Sequence, residues 1–365
     1  IPLGTDQVFR CREIPELVIA SEICEDLWTP CPPSGRHCLY GATLIANLSA
    51  SDEVTGKNAY RKDLVAMTSA RLYCAYLYAS AGEGESTQDI VFSGHNLIAE
   101  NGTLLSEAEK FANQNVYADI DLERIAFERR RMSTFVVDED KAAAEGYTCV
   151  RCPQLISREL KLDRFFDKAP FVPYDKNERE ARCEEILDIQ TYGLKKRLEH
   201  TGCKSAVIGI SGGLDSTLAL LVTVRAFDLS GLDRKGIICV TMPCFGTTDR
   251  TYDNACKLTH ACGAQLQEVD IKEAVNIHFR DIGQDPDQHD VTYENGQARE
   301  RTQILMDIAN KNGGLVIGTG DMSELALGWA TYNGDHMSMY GVNVGVPKTL
   351  VRHLVQYYAD TCNHE

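Results

Sequence analysis

The sequence predicts an α/β protein of two blocks, the second a doubly wound parallel sheet, and three observations carry that expectation. Between residues 206 and 318, apolar strand-like runs alternate with helical stretches, the rhythm of parallel strands joined by helical crossovers. The first of those runs, 206–210, turns directly into an apolar helix, 217–224, through Ser211, Gly212, Gly213, Leu214, Asp215 and Ser216. Upstream lies another strand-and-helix block, set off by a polar, irregular stretch over 136–180.

In chain order, 16–20 and 42–48 read as buried strands, 59–72 as a helix, and 89–92, 96–99 and 103–105 as strands. Asn101 and Gly102 supply the turn of a hairpin between the last two. The helix expected over 122–132 has a very basic face, read as solvated surface. Charges, prolines and a Lys/Asp-rich run over 136–180 suit a connector lying on a surface. The second block places strands at 206–210, 236–242, 265–269 and 314–318 and ends in a helix over 349–359.

The 365 residues are many for a single core, so two domains are expected, over 1–138 and 181–365, with a linker over 139–180. Hydrophobic residues at 44% and charged residues at 25% are an ordinary globular mixture, as in a large soluble enzyme. The 53 acidic against 37 basic residues give a net charge of −16, which argues against nucleic acid as a partner. No apolar run approaches the roughly 18 residues of a membrane span. The first residues also lack the basic segment and apolar core of a signal peptide, so a cytoplasmic protein without membrane partners is expected. The 14 cysteines are scattered without framework spacing and read as reduced thiols. Cys149 and Cys152 form one CxxC without a second pair, and surface or loop positions explain them better than zinc.

The turn over 211–216 is built for an anion. Two glycines and two serines let the chain bend so that backbone N–H groups and the following helix N-terminus point at one phosphate. Asp215 adds a carboxylate for Mg2+ beside it. The loop is not G-x-x-x-x-G-K-[ST], since no lysine follows the glycines. After the strand at 314–318 come Thr319, Gly320, Asp321, Ser323 and Glu324, again at a carboxyl end, where open α/β sheets gather ligands. Glu324 can complete a Mg2+ site with Asp215, and the Thr319 hydroxyl and loop amides can hold a nucleotide. Asp321 or Ser323 reads as a helix N-cap, a role that can coexist with binding.

SGGxDS resembles the loop of the PP-loop ATP pyrophosphatases, which cut ATP between the α and β phosphates to adenylate a carbonyl oxygen. VTYENGQARERTQILMDIAN (291–310) and GTGDMSELALGWATYNGDHMSMYGVNVGVPKTLV (318–351) narrow the resemblance to the synthetase domain of NAD synthetases. That resemblance implies adenylation of the nicotinate carboxylate of deamido-NAD by ATP, and displacement of AMP by ammonia. It implies an ATP site of Gly209, Ile210, Ser211, Gly212, Gly213, Leu214, Asp215, Ser216 and Thr319, with Lys348 as a charge on phosphate. It implies a deamido-NAD site of Asn295, Glu324, Trp329, Ala330, Thr331, Tyr332 and Asp335, and a metal site of Asp215 and Glu324. Trp329 and Tyr332 can stack a pyridine ring, although lone aromatic residues are more often core.

In the first block, EICEDLW (22–28) follows a buried strand and puts Cys24 at a strand-to-loop elbow. With NLSAS (47–51) and AGEGESTQD (81–89), it resembles the nitrilase-type glutaminase domain fused to glutamine-dependent NAD synthetases. The resemblance implies attack of Cys24 on the glutamine side-chain amide, a thioester, release of ammonia and hydrolysis to glutamate. Ser51 and Lys57 would contact the glutamine. The implied fold is the C-terminal part of an α-β-β-α sandwich followed by a PP-loop sheet, with glutamine, ATP and deamido-NAD as small-molecule partners in a homo-oligomer. That family carries a glutamate base and a supporting lysine upstream of its cysteine segment. The 23 residues before Cys24 hold Glu13 and Glu16 but no lysine, so neither role is assigned, and the sequence is expected to be an internal piece of a longer protein. Two rival readings fit less well. A GMP synthetase-like amidotransferase would need a GxCxG elbow, and a stand-alone nitrilase-like amidase has no use for SGGLDS.

Overall fold

The computed structural model describes residues 4–85, 89–152, 161–244 and 249–361. The chain divides into two compact units, residues 1–166 and 167–365. Among the described residues no helix is long and apolar enough to cross a membrane, and no disulfide is formed.

The first unit is a seven-stranded mixed sheet. Its strands are β1 (Gln7–Cys11), β2 (Val18–Ile23), β3 (Leu44–Ser49), β4 (Ala75–Ser80), β5 (Leu97–Glu100), β6 (Thr103–Glu107) and β7 (Thr148–Cys152), in the order β6-β5-β4-β3-β2-β1-β7. β2, β3 and β4 run parallel, with Ile19 opposite Leu44 and Leu44 opposite Ala75. The helices are α1 (Pro33–Leu39), α2 (Lys57–Leu72), α3 (Leu122–Arg131) and α4 (Glu139–Ala144). Alternation decides the faces: Val18, Ala20, Ile45 and Tyr76 pack with Cys38 of α1 and with Val65 and Leu72 of α2. The alternate positions Ile23 and Leu48 are 65% and 62% exposed. Asn101 and Gly102 form the hairpin turn the sequence predicts, both at positive φ (46° and 87°).

Several expectations need correction here. No strand forms over 89–92; Ile90 and Val91 are exposed there, and the Val91 carbonyl accepts from the Glu53 N–H. β4 went unpredicted because α2 passes into it through Tyr73 at φ 44°, without a glycine to mark the turn. The stretch expected to be irregular contains α4 and β7, and β7 pairs in parallel with β1. Cys149 and Cys152 therefore lie in a strand, where residues three apart face opposite sides and cannot chelate one ion together. The basic face of α3 is not wholly solvated: Arg129 is buried, and its guanidinium donates to the carbonyls of Ala42 (2.7 Å), Tyr73 (2.8 Å) and Leu72 (3.1 Å). Its planar fork satisfies carbonyls left open where α2 ends.

The second unit is a five-stranded, all-parallel sheet, β10-β9-β8-β11-β12. Its strands are β8 (Ala206–Gly209), β9 (Ile237–Thr241), β10 (Gln265–Glu268), β11 (Leu315–Gly318) and β12 (Tyr340–Gly341). Its helices are α5 (Lys176–Thr201), α6 (Leu214–Leu229), α7 (Asp249–Ala261), α8 (Lys272–Ile282), α9 (Val291–Lys311), α10 (Met322–Leu327) and α11 (Lys348–Thr361). Both faces are covered. Leu187, Leu194, Phe227 and Leu354 from α5, α6 and α11 pack on Ile208 and Ile317, while Ala309 and Leu305 of α9 pack on Val207, Val240 and Val316. Each fully buried leucine contributes about 1.5–3 kcal/mol, so α5 docks by its inward leucines despite a largely polar sequence. The strand order reverses direction between β8 and β11, and a crevice at such a switch point is where this kind of sheet binds ligands.

Candidate active sites

Two loops flank that switch point. The first leaves β8 at Ile210 and enters α6 at Leu214. Gly212 has φ 79°, and a Cβ there would lie 2.0 Å from the Thr251 carbonyl oxygen, so only glycine fits. Ser216 is buried and holds the loop closed: its hydroxyl lies 3.3 Å from the Ser211 N–H and 3.1 Å from the Gly213 carbonyl. The second loop leaves β11 and caps α10, where the Asp321 carboxylate accepts from the Glu324 N–H at 3.0 Å. Gly318 leaves little room for a side chain, since a Cβ there would lie 2.3 Å from Ser338 Oγ and 3.2 Å from the Gly341 Cα of β12.

Asn343, fully buried, ties the two loops together by donating to the carbonyls of Asp215 and Thr319, both at 3.0 Å. Gln190 of α5 donates in turn to Asn343 Oδ1 at 3.0 Å. As a result, one carboxylate oxygen from each of Asp215, Asp321 and Glu324 falls within 4.8 Å of the others. The Lys348 ammonium sits among them, 2.6 Å from Asp215, 3.1 Å from Asp321 and 3.6 Å from Glu324. Burial works against its charge, but hydrogen bonds to Asp215 and Asp321 outweigh that and hold its pKa above the usual lysine range.

This set suits a hard divalent cation. Three hard oxygen donors converge, a cation already stands among them, and Asp215 Oδ1 is buried with no hydrogen-bond partner among the described residues. Asp321 is the member that sequence reasoning missed, because capping α10 accounted for it fully. The sequence signal was its place one turn ahead of Glu324, on the same side of the helix start.

The remaining residues expected around a dinucleotide are partly gathered. Trp329, Ala330, Thr331, Tyr332 and Asp335 lie in the loop after α10, which touches α9 where Gly334 meets Ala298. Arg301 of α9 grips Asp335 through two bonds of 2.6 and 2.8 Å, and Arg299 donates to the Tyr332 carbonyl. Trp329 and Tyr332 are 79% and 74% exposed, so the alternative of a core role for them is overturned. Asn295, also on α9, is half-buried.

In the first unit, Cys24 opens a 3-10 turn, Cys24–Trp28, directly after β2. It is half-buried and has φ 50°, a left-handed conformation rare outside glycine. Ser51 is buried after β3. Lys57, at the start of α2, is held by the carbonyl and carboxylate of Asp52 at 2.7 and 3.0 Å. Lys57 also lines a cleft of about 180 Å³ with Trp28, Tyr60 and Arg61. Of AGEGESTQD, residues 86–88 lie outside the described residues.

Residues 186–362 match the family model "NAD synthase". The second unit is thus similar to the NAD synthase family over most of its length. Similarity to curated relatives extends beyond the second unit to nearly the whole chain. The glutamine-dependent NAD(+) synthetase of Mycobacterium leprae is 43% identical over 98% of this chain and 54% of its own length, and that of Mycobacterium bovis is 42% identical with the same coverage. The chain thus spans about half the length of the curated relatives it matches. A solved glutamine-dependent NAD+ synthetase from Acinetobacter baumannii, in complex with ADP, is 24% identical and covers 94% of this chain and 56% of that one, with a TM-score of 0.47.

Proposed function

We propose that the protein makes NAD from deamido-NAD, with ATP as co-substrate and ammonia drawn from glutamine. The observation that carries this reading is the convergence of Asp215, Asp321 and Glu324 on the Lys348 ammonium at the switch point of the second unit, which is similar to the NAD synthase family. An anionic carboxylate resists ammonia until one of its oxygens becomes a leaving group. Transfer of AMP from ATP to that oxygen expels pyrophosphate, and ammonia then attacks the carbonyl carbon and releases AMP, leaving the amide. The SGGLDS loop and the α6 N-terminus are suited to bind the departing pyrophosphate. Mg2+ held by Asp215, Asp321 and Glu324 would neutralise phosphate charge when bound. Lys348 is then freed to face phosphate, the role the sequence suggests. Gly209 and Ile210 lead β8 into this ATP loop, and Thr319 opens the opposite one. Asn295, Glu324 and the 329–332 and Asp335 loop are proposed to hold deamido-NAD, with Trp329 and Tyr332 offering exposed rings to the pyridine.

Cys24 is proposed as the glutaminase nucleophile, with Ser51 and Lys57 on the glutamine. The Cys24 sulfur displaces ammonia from the side-chain amide, and water then cleaves the thioester to glutamate. We extend the proposal to a cytoplasmic homo-oligomer acting on small molecules, the net charge of −16 weighing against polyanionic partners. The test is pyrophosphate release by the full-length protein when ATP and deamido-NAD are supplied together. Release that requires both supports the reading, and release with ATP alone or none at all overturns it.

A further inference from the structure

A chain of buried polar groups ends on the Cys24 backbone. Asn47, on β3 and only 1% exposed, clamps that residue from both sides: its Oδ1 accepts from the Cys24 N–H at 3.0 Å, and its Nδ2 donates to the Cys24 carbonyl at 3.3 Å. Nδ2 also donates to the Tyr76 hydroxyl oxygen at 3.1 Å. Tyr76, on β4 and fully buried, spends its own proton in a hydrogen bond to Glu22 Oε1. The other Glu22 oxygen accepts from the Ser34 N–H at 2.8 Å.

The direction of this relay is set by its donors and acceptors. Because the Tyr76 proton is committed to Glu22, the tyrosine oxygen can only accept, so Asn47 must present its amino group there. Its carbonyl is then left for the Cys24 N–H. A non-glycine residue at φ 50° costs on the order of 1–3 kcal/mol and persists only where its surroundings over-determine it. The two-sided clamp is what over-determines it. Reading the sequence outward from Cys24 does not reveal this, since Asn47 is 23 positions away and Tyr76 lies 54 positions from Glu22.

We propose that Asn47 is a positioning residue for the thiol, held in its working amide orientation by Tyr76 and Glu22, so that the buried carboxylate fixes the elbow from which Cys24 meets glutamine. The inference rests on the nucleophile reading of Cys24. None of the three side chains touches glutamine; they act by holding the backbone that aims the sulfur.

The test uses the full-length protein and NAD formation driven by glutamine or by added ammonia. Asn47→Ala should lower kcat with glutamine roughly 10- to 100-fold, the scale of a small misplacement of a reacting group, while KM for glutamine changes less than about 3-fold. The ammonia-driven rate should stay within about 2-fold, since it needs no thiol. Tyr76→Phe, which keeps the ring and removes only the hydroxyl, and Glu22→Gln, which leaves one acceptor for two donors, should follow with smaller losses of the same pattern. They keep the test open if Asn47→Ala folds poorly. Asn47→Asp retains the acceptor for the Cys24 N–H and should recover part of the lost rate. Glutamine kcat near wild type in the folded variants, or equal loss with glutamine and ammonia, would overturn the proposal. Cys24→Ala, run alongside, separates the two readings. If it retains glutamine-driven synthesis, the nucleophile reading fails; if it loses it while the Asn47, Tyr76 and Glu22 variants do not, positioning alone fails.

Discussion

Both units use a buried asparagine to fix a turn at the carboxyl end of a parallel strand, yet they use it differently. Asn47 grips one residue, Cys24, from both sides and thereby holds a strained, non-glycine elbow. Asn343 bridges two residues, the Asp215 and Thr319 carbonyls, and so sets the spacing of two loops, the first bent at Gly212 and the second leaving β11 at the close-packed Gly318. A single thiol needs one backbone position held against its preference, whereas a phosphate and metal site needs several donors brought to a common centre. The first problem calls for a clamp, and the second for a strut.

The comparison breaks most easily at the centre the strut supports. Asp321→Asn should lower pyrophosphate release about 10- to 100-fold or more, as loss of a metal-site group typically does, while glutamine hydrolysis persists. Asp215→Asn should match it, and normal adenylation by either would remove these carboxylates from the chemistry. Asn343→Ala is the sharper probe. It leaves all three carboxylates in place but unties the loops, so the ATP-dependent rate should fall about 10-fold, with weaker dependence on glutamine than on ATP concentration. An unchanged rate would mean that the glycines alone set the geometry.

The smallest expected effect concerns how the first unit tolerates acid. In the first unit, burial pushes the pKa of His37 below the usual 6.5. Its Nδ1 lies 3.0 Å from the Tyr147 hydroxyl. The unfolded state therefore binds that proton more readily, so the stability His37 confers is complete above about pH 6.5 and declines as pH falls through that value. Glu53 acts lower down. Burial opposes its charge, but hydrogen bonds from Ser93 and Arg61 outweigh it and depress its pKa below 4.5, so its contribution declines as pH falls past that point. His37→Gln should flatten the slope of Tm between pH 7 and 5.5, and an unchanged slope would assign the acid sensitivity elsewhere.

What the sequence showed follows from how local each signal is. SGGLDS was legible because its strand, loop and helix are contiguous, and Gly212 and Ser216 have local conformational reasons to be there. Four of the five strands of the second unit were legible, three of them as buried apolar runs, and the structure bounds these four within a residue or two of the expected limits; the two-residue β12 was too short to leave a signal. β7 was not, since its residues are mostly exposed and it pairs with β1 across more than a hundred positions. Asp321 was hidden behind an adequate local explanation, its cap on α10. Asn47, Tyr76 and Glu22 were invisible because a buried polar network is defined by partners distant in sequence, and no periodicity encodes it.

The central claim is that two separable chemistries, one thiol-based and one ATP-based, meet through ammonia. It is tested most directly by measuring NAD formation by full-length Cys24→Ala protein with glutamine and, in parallel, with added ammonia, at matched Tm. The account predicts that synthesis from glutamine is abolished while synthesis from ammonia continues at close to the wild-type rate. Equal loss of both, or glutamine-driven synthesis that survives the substitution, would contradict it.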